Sequence, residues 1–230
     1  LALHCEEPTL SHGGHAHEGV VAAELGLGPY PSTAESLMVG RDLAIARDEG
    51  RTIHLMHLSA RESVENLRRA QADGLNATGE VTPHHLCLTD EAVRSLDPNV
   101  KMNPPLRSED DRRALLDALR DATIGSIATD HAPHARHEKD VPFEDAPFGV
   151  TGLETAFSVL HTRLVEPGEL TLRPHEDGDV ETQVAADSLL DRVGQLPGAV
   201  GAPEDDVAAL HVGRNVLGTE VGEERAQVLH

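Results

Sequence analysis

Apolar positions along the first 165 residues fall into short runs separated by longer amphipathic stretches. Leu1 to Cys5 is a short apolar run ending in His4-Cys5-Glu6-Glu7, and a Gly/His stretch, SHGGHAHEG, follows it. Pro31-Ser32-Thr33-Ala34-Glu35 reads as a helix start, with apolar positions continuing through Leu43 and Ile45 to Gly50. Thr52 to Leu58 is rich in strand formers and ends in His57-Leu58-Ser59. Glu62 to Gly74 places Val64, Leu67 and Ala70 on one side of a helix, away from Arg68, Arg69 and Asp73. Ala77 to Pro83 reads as a strand. Ser108-Glu109-Asp110-Asp111 is a helix N-terminus, and Leu115, Leu116 and Leu119 follow at helical spacing. Ile124 to Thr129 is a strand that ends in Asp130-His131.

The order is β-α-β-α-β-α-β, which favours an α/β fold with a parallel sheet and covering helices. The metal-competent side chains His4, His57, His84 and Asp130 all fall at strand C-termini. A (β/α)8 barrel and a doubly wound sheet both build their sites there. No glycine-rich dinucleotide or phosphate loop is present. From about residue 166 the pattern changes. The last 65 residues hold four arginines against fourteen carboxylates, including PHEDGD, GAPEDD and VGEERA. One helix, Val184 to Val193, is expected there and little else. Two regions are therefore expected: 1–165, an α/β unit, and 166–230, a divergent and weakly structured acidic tail.

Composition narrows the function classes. With 39% hydrophobic and 26% charged residues in 230, the chain reads as a soluble globular protein. No run of eighteen apolar residues occurs, so no transmembrane helix is expected. The opening residues carry no basic stretch ahead of an apolar one, so a signal peptide is not expected. The first residue is Leu1 and not Met, so preceding sequence is expected. A net charge of −21 repels phosphate backbones and anionic lipids, which disfavours nucleic acid and membrane surfaces as partners. Two cysteines, Cys5 and Cys87, make no disulfide framework, and a reducing cytoplasm is the expected compartment.

His4, His57 and Asp130 each close a separate strand. Imidazole and carboxylate suit zinc or another hydrolytic divalent metal. Any one of them alone also suits a strand-end residue bonded to a backbone carbonyl; three at strand ends favour the metal. An Asp reaching both metal and water can take the water's proton and hand it to a leaving nitrogen. His134, four residues past Asp130, reads equally as an exposed loop histidine or as a ligand for an anionic substrate carboxylate. Asn103, held by Pro104 and Pro105, can recognise a carbonyl and an N–H, or simply cap a turn. Phe148-Gly149 lies on the loop after the last strand, where glycine allows close backbone approach to a ligand or an ordinary turn. His12, His15 and His17, in the glycine-rich stretch, read as a mobile loop rather than a metal site. His84 and His85 are given no catalytic role. Cys5 is expected to point away from His4 across the strand, and Cys87 to be core.

The segments HCEE, HLMHLSA, EVTPHHL, KMNPPLRSEDDRRAL, IATDHAPH, HEKD and APFGVTGLET, in this order, resemble a class I dihydroorotase of the amidohydrolase superfamily. The resemblance covers roughly residues 1 to 172, and TDHAPH-x-x-x-EK alone is a specific motif. It implies about the second half of a (β/α)8 TIM barrel. It also implies a zinc-dependent, reversible hydrolysis of dihydroorotate to N-carbamoyl-L-aspartate in pyrimidine biosynthesis, with one or two Zn2+ per site. By motif, His4, His57 and Asp130 match metal ligands, and Asp130 also matches the general acid/base. Asn103, His134 and the Phe148-Gly149 backbone match substrate-contacting positions. The family's upstream His-x-His-x-x-Arg motif and bridging carboxylate are not in this sequence, so the chain by itself is expected to be inactive. The family's Asn-Pro-Ala helix start and closing Gly-rich strand are also not found after Arg173. Hydantoinases and allantoinases, or a non-catalytic partner of aspartate transcarbamoylase, are the alternatives. A homodimer or a complex with that transcarbamoylase is the assembly the resemblance allows.

Overall fold

The structure, a computed structural model, describes residues 1–171 together with Arg173, Pro174, Val180 and Glu181. The helix expected over 184–193, and most of the acidic tail, lie outside the described residues. The chain divides into two compact units, Leu1–Leu172 and Arg173–His230. In chain order the first unit holds β1 (Ala2–Leu3), α1 (Pro8–Ser11), β2 (Ala16–His17), α2 (Val20–Leu25), β3 (Pro29–Tyr30), α3 (Thr33–Asp48) and β4 (Ile53–Leu55). It continues with α4 (Arg61–Ala72), β5 (Ala77–Val81), α5 (Pro83–Cys87), α6 (Glu109–Arg120), β6 (Ser126–Ile127), α7 (Arg136–Lys139) and α8 (Ala156–Leu160). In the second unit, β7 (Arg173–Pro174) pairs antiparallel with β8 (Val180–Glu181). No helix among the described residues is long and apolar enough to cross a membrane.

Strands β1, β4, β5 and β6 lie side by side, all parallel, in that order. Ala2 sits opposite His54, Ile53 opposite Ala77 and Glu80 opposite Ser126. Helix α3 packs on α4, and α4 on α6. Val39 and Leu43 of α3, Val64 and Leu67 of α4, and Leu115, Leu116 and Leu119 of α6 meet Leu55 and Val81 of the sheet in one apolar core. This is the βα alternation that the apolar pattern implies.

The strands are shorter than their apolar runs. At two of their ends the chain turns out of the sheet through a left-handed residue, His57 at φ 35° and Asp130 at φ 46°. Such a backbone cannot continue a ladder, so the polar tips leave the sheet and become the rim of a site.

Caps join neighbouring helices. Ser108 and Asp111 form a reciprocal capping box at the start of α6, and Asp111 also accepts from the Arg61 amide at the start of α4, 3.0 Å away. Glu35, buried on α3, accepts from the Ser59 and Ala60 amides, both at 3.1 Å. Its negative charge thus sits at the N-terminal end of α4, where the helix dipole favours it. Arg107, itself buried, donates to the Ser59 hydroxyl at 3.1 Å, so the two opposite buried charges share one partner.

The Gly/His stretch differs from its expectation. It is an ordered excursion rather than a mobile loop: β2 pairs with β3, and Ala16, Val21, Ala22 and Leu27 form a small second core with Val93 and Phe143. Gly28 makes this possible, because a Cβ there would lie 1.9 Å from the Gly13 carbonyl oxygen. Val21, Ala22 and Leu27 bury the excursion against the 3₁₀ turn Asp90–Ser95 and the loop carrying Phe143, partners that no local pattern announces.

Candidate active site

The C-terminal ends of β1 and β4 bring two imidazoles together. His4 Nδ1 lies 2.9 Å from His57 Nε2, and the rings meet edge to face at 4.7 Å between centroids. The far nitrogen of His4, Nε2, faces the Glu6 carboxylate at 2.9 Å. If that nitrogen carries the proton, the His4 Nδ1 lone pair is directed toward His57. Burial, then the nearby His4, holds the His57 imidazolium below its usual range, while Asp130 pulls in the opposite direction. His57 Nδ1 is buried with no hydrogen-bond partner.

His57 is held in its left-handed backbone by a buried group beneath the site. Glu80, on β5, accepts from the His57 amide at 3.4 Å and faces His54 Nε2 at 2.9 Å, while His54 Nδ1 meets Thr78 at 2.8 Å. His54, Thr78 and Glu80 project from the same face of two adjacent strands, as alternation along β4 and β5 requires. A left-handed non-glycine residue costs on the order of 1–3 kcal/mol, and such strain concentrates at functional positions.

Asp130 emerges from the end of β6. Among the described residues, no three His, Cys, Asp or Glu side chains converge closely enough to hold an ion as they stand. The structure therefore pairs His4 with His57, while Asp130 is near enough for its charge to act on His57 but does not converge with the pair. The donor set fits a divalent metal even so. A tetrahedral zinc with bonds of about 2.0–2.1 Å places two nitrogen ligands about 3.3 Å apart, a few tenths beyond the spacing here. His4 would bind through Nδ1 with its other nitrogen on a carboxylate, the usual outer arrangement of a metal histidine.

Glu6 is the residue that sequence reasoning missed. Its Oε2 receives both His4 Nε2 and the Asn103 amide nitrogen, the latter at 2.8 Å, and its Oε1 receives the Ser11 hydroxyl. Tyr30 donates to Asn103 Oδ1 at 2.9 Å, which sets the amide's orientation. Burial alone would raise the Glu6 carboxyl; hydrogen bonds from His4, Ser11 and Asn103 outweigh it and bring it down to about 2. One carboxylate thus joins a candidate metal ligand to a candidate substrate ligand 97 residues away in sequence. The only available signal was its place two residues past His4. Glu6→Gln is expected to weaken divalent-metal binding by about 10- to 100-fold, the range for such outer partners. Competition against a chromophoric chelator measures it, and an unchanged affinity would remove Glu6 from the site.

His134 and Phe148-Gly149 come together past the end of β6. His134 Nε2 donates to the Phe148 carbonyl at 2.8 Å, and the Gly149 amide donates to the Lys101 carbonyl at 3.0 Å. Gly149 has φ +128°, and a Cβ there would meet Ala132 and His134 Nε2 within 2.9 Å, so glycine is required. These two backbone groups are therefore already engaged inside the protein. The remaining expectations are placed as follows. Cys5 points away from the imidazoles into the core beside Asp42, and Cys87 packs at the core edge. His85 is buried on Thr82 and the Pro104 carbonyl, and burial brings its imidazolium down to about 3. His84 is half-buried, and desolvation holds its imidazolium well below its usual range.

No family model matches the chain. It is 49% identical over 173 residues to a dihydroorotase of Caldanaerobacter subterraneus subsp. tengcongensis, an alignment covering 75% of this chain and 40% of the relative. It is 46% identical over 205 residues to a dihydroorotase of Bacillus caldolyticus, covering 89% of this chain and 47% of the relative. The chain thus spans less than half the length of these curated relatives. Among solved structures it resembles the L-hydantoinase (dihydropyrimidinase) of Arthrobacter aurescens. The identity is 26% and the TM-score 0.66, over 74% of this chain and 39% of that one. The neighbours are barrel amidohydrolases, and the four parallel strands with their helices make up part of such a barrel.

Proposed function

We infer that this chain belongs to the dihydroorotase family over the segment it shares with those relatives, and propose that the protein carrying it hydrolyses a cyclic amide. The proposed reaction is the metal-dependent, reversible opening of dihydroorotate to N-carbamoyl-L-aspartate, in pyrimidine biosynthesis and in the cytoplasm. The observation that carries it is the facing pair His4 and His57 at the C-terminal ends of adjacent parallel strands, with the Asp130 charge acting on His57. His4, His57 and Asp130 would hold the metal, zinc by their donor chemistry. When bound, the metal supplies a water of near-neutral pKa and polarises the scissile carbonyl.

The remaining steps belong to the protein. The Asp130 carboxylate takes the proton of the attacking water and delivers it to the ring nitrogen as the C–N bond breaks. Asn103, oriented by Glu6 and Tyr30, meets the substrate's polar edge. With Phe148 C=O and Gly149 N–H already engaged, Phe148 N–H and Gly149 C=O are the backbone groups left for the ring amide. His134 would meet the substrate carboxylate, and it also holds Phe148 in place through the Phe148 carbonyl.

Hydantoin rings without a carboxylate would gain nothing from His134, which separates this reading from a hydantoinase. In the complete protein carrying this sequence, dihydroorotate should turn over and hydantoin should not. His134→Ala should raise KM for dihydroorotate by about 10- to 100-fold, the worth of one hydrogen bond to a charged group. An unchanged KM would sink the carboxylate assignment, and hydantoin turnover without dihydroorotate turnover would sink the substrate. Absence of both would favour a non-catalytic partner of a transcarbamoylase.

A further inference from the structure

The chain has two lysines, Lys101 and Lys139, and the structure directs both at main-chain carbonyls. Lys139 Nζ donates to Pro147 O at 2.8 Å, to Pro98 O at 2.9 Å and to Lys101 O at 3.4 Å. Lys101, 2% exposed, donates its Nζ to Glu144 O at 2.8 Å and lies over the rings of Phe143 and Phe148, 5.5 and 4.8 Å from their centroids. All four hydrogen bonds go to backbone oxygen and none to a carboxylate.

These carbonyls lie on two separate segments. Pro98 and Lys101 lead into Asn103; Glu144 and Pro147 lead into Phe148-Gly149. The Lys101 carbonyl also receives the Gly149 amide, so Lys139 and Gly149 share one acceptor across the junction. An ammonium suits this place because it is a compact charge with three donors that can point at three converging oxygens, which a planar guanidinium cannot do. Without it, the half-buried Pro147 carbonyl loses its partner, while Pro98 O keeps only the Lys101 amide and Lys101 O only the Gly149 amide, so the ammonium's tie between the segments is lost.

We propose that Lys139 is a positioning residue that clamps the 98–103 segment to the 147–149 segment. It thereby fixes the separation between Asn103 and the Phe148-Gly149 backbone, the two groups proposed to meet the substrate. Lys101 is the second arm of the same clamp, its stem and ammonium packed against the Phe148 ring. The inference rests on the proposed function only for what the pocket binds. It assigns Lys139 no contact with substrate or with the reacting atoms.

The test is Lys139→Met in the complete protein. Amide hydrogen exchange should quicken at 147–149, including the Gly149 amide, and at 98–103. KM for dihydroorotate and Kd for N-carbamoyl-L-aspartate, the latter by calorimetry, should rise by about 10- to 100-fold, the scale of a misplacement of about 1 Å. Metal content should stay at the level of the unsubstituted protein, and kcat should change far less than KM. A fall in kcat with unchanged KM, or unaltered exchange in both segments, overturns the clamp. Should Lys139→Met not fold, Lys139→Arg serves instead: it keeps the charge but not the three-way convergence, and the same KM rise is expected at lower amplitude. An Arg variant with unchanged KM and exchange counts against the proposal. Hydrogen exchange needs no substrate, so absent turnover in the unsubstituted protein would refute the proposed function while the clamp is still decided.

Discussion

Asp130→Asn is expected to lower kcat for dihydroorotate by about 10²–10⁴-fold, the contribution of a well-placed general acid/base. The substitution is close to isosteric, and asparagine is among the few residues that tolerate the left-handed backbone that Asp130 adopts at φ 46°. Asp130 makes no hydrogen bond among the described residues that the fold depends on, so the thermal midpoint should barely move. What is lost is a carboxylate that can accept a proton, together with one charged donor for the metal. The measurement is kcat at saturating dihydroorotate, with the melting temperature as a control. A kcat within tenfold of the unsubstituted protein would take the proton-transfer role away from Asp130.

His57→Asn is expected to weaken divalent-metal binding by more than about 100-fold, beyond the upper end seen for outer partners of a ligand. Asparagine is chosen because His57 sits at φ 35°, where alanine would add strain to the loss of the imidazole. The neighbouring buried His54 is the comparison. It touches Glu80 and Thr78 and not His4. His54→Gln should therefore affect metal affinity only through the Glu80 clamp on the His57 amide, within the outer-partner range of about 10- to 100-fold. Chelator competition on the two variants orders them. If His57→Asn binds metal no more weakly than His54→Gln, the facing pair is not the metal site.

Much of the parallel unit is legible in the apolar pattern. Leu67 is inward because 3.6-residue spacing puts it with Val64 and Ala70, and all three are buried. The start of α6 is visible in Ser108 and the acidic turn after it. The same local rules misread the Gly/His stretch. Glycine suggests mobility when only neighbours in sequence are considered, yet Gly28 here permits a close backbone approach to Gly13. Strand-end residues were identified, but not how they meet: His4 touches His57 across 53 positions, whereas Asp130 stands near without closing the set.

By itself the sequence determined the alternation of strands and helices, the placement of polar residues at strand ends, the acidic character and the family resemblance. Those are local properties, because hydrophobic period, capping residues and motif order are all read along the chain. Only the tertiary structure decided that Glu6 joins His4 to Asn103, that Glu80 holds the His57 backbone, and that Lys139 ties two distant segments together. Each depends on a hydrogen bond between groups far apart in sequence: Glu6 with Asn103, Glu80 with His57, and Lys139 with Pro98. The partner of a carboxylate or an ammonium depends on which loops the folded sheet brings within about 3 Å, and no period or spacing along the chain encodes that.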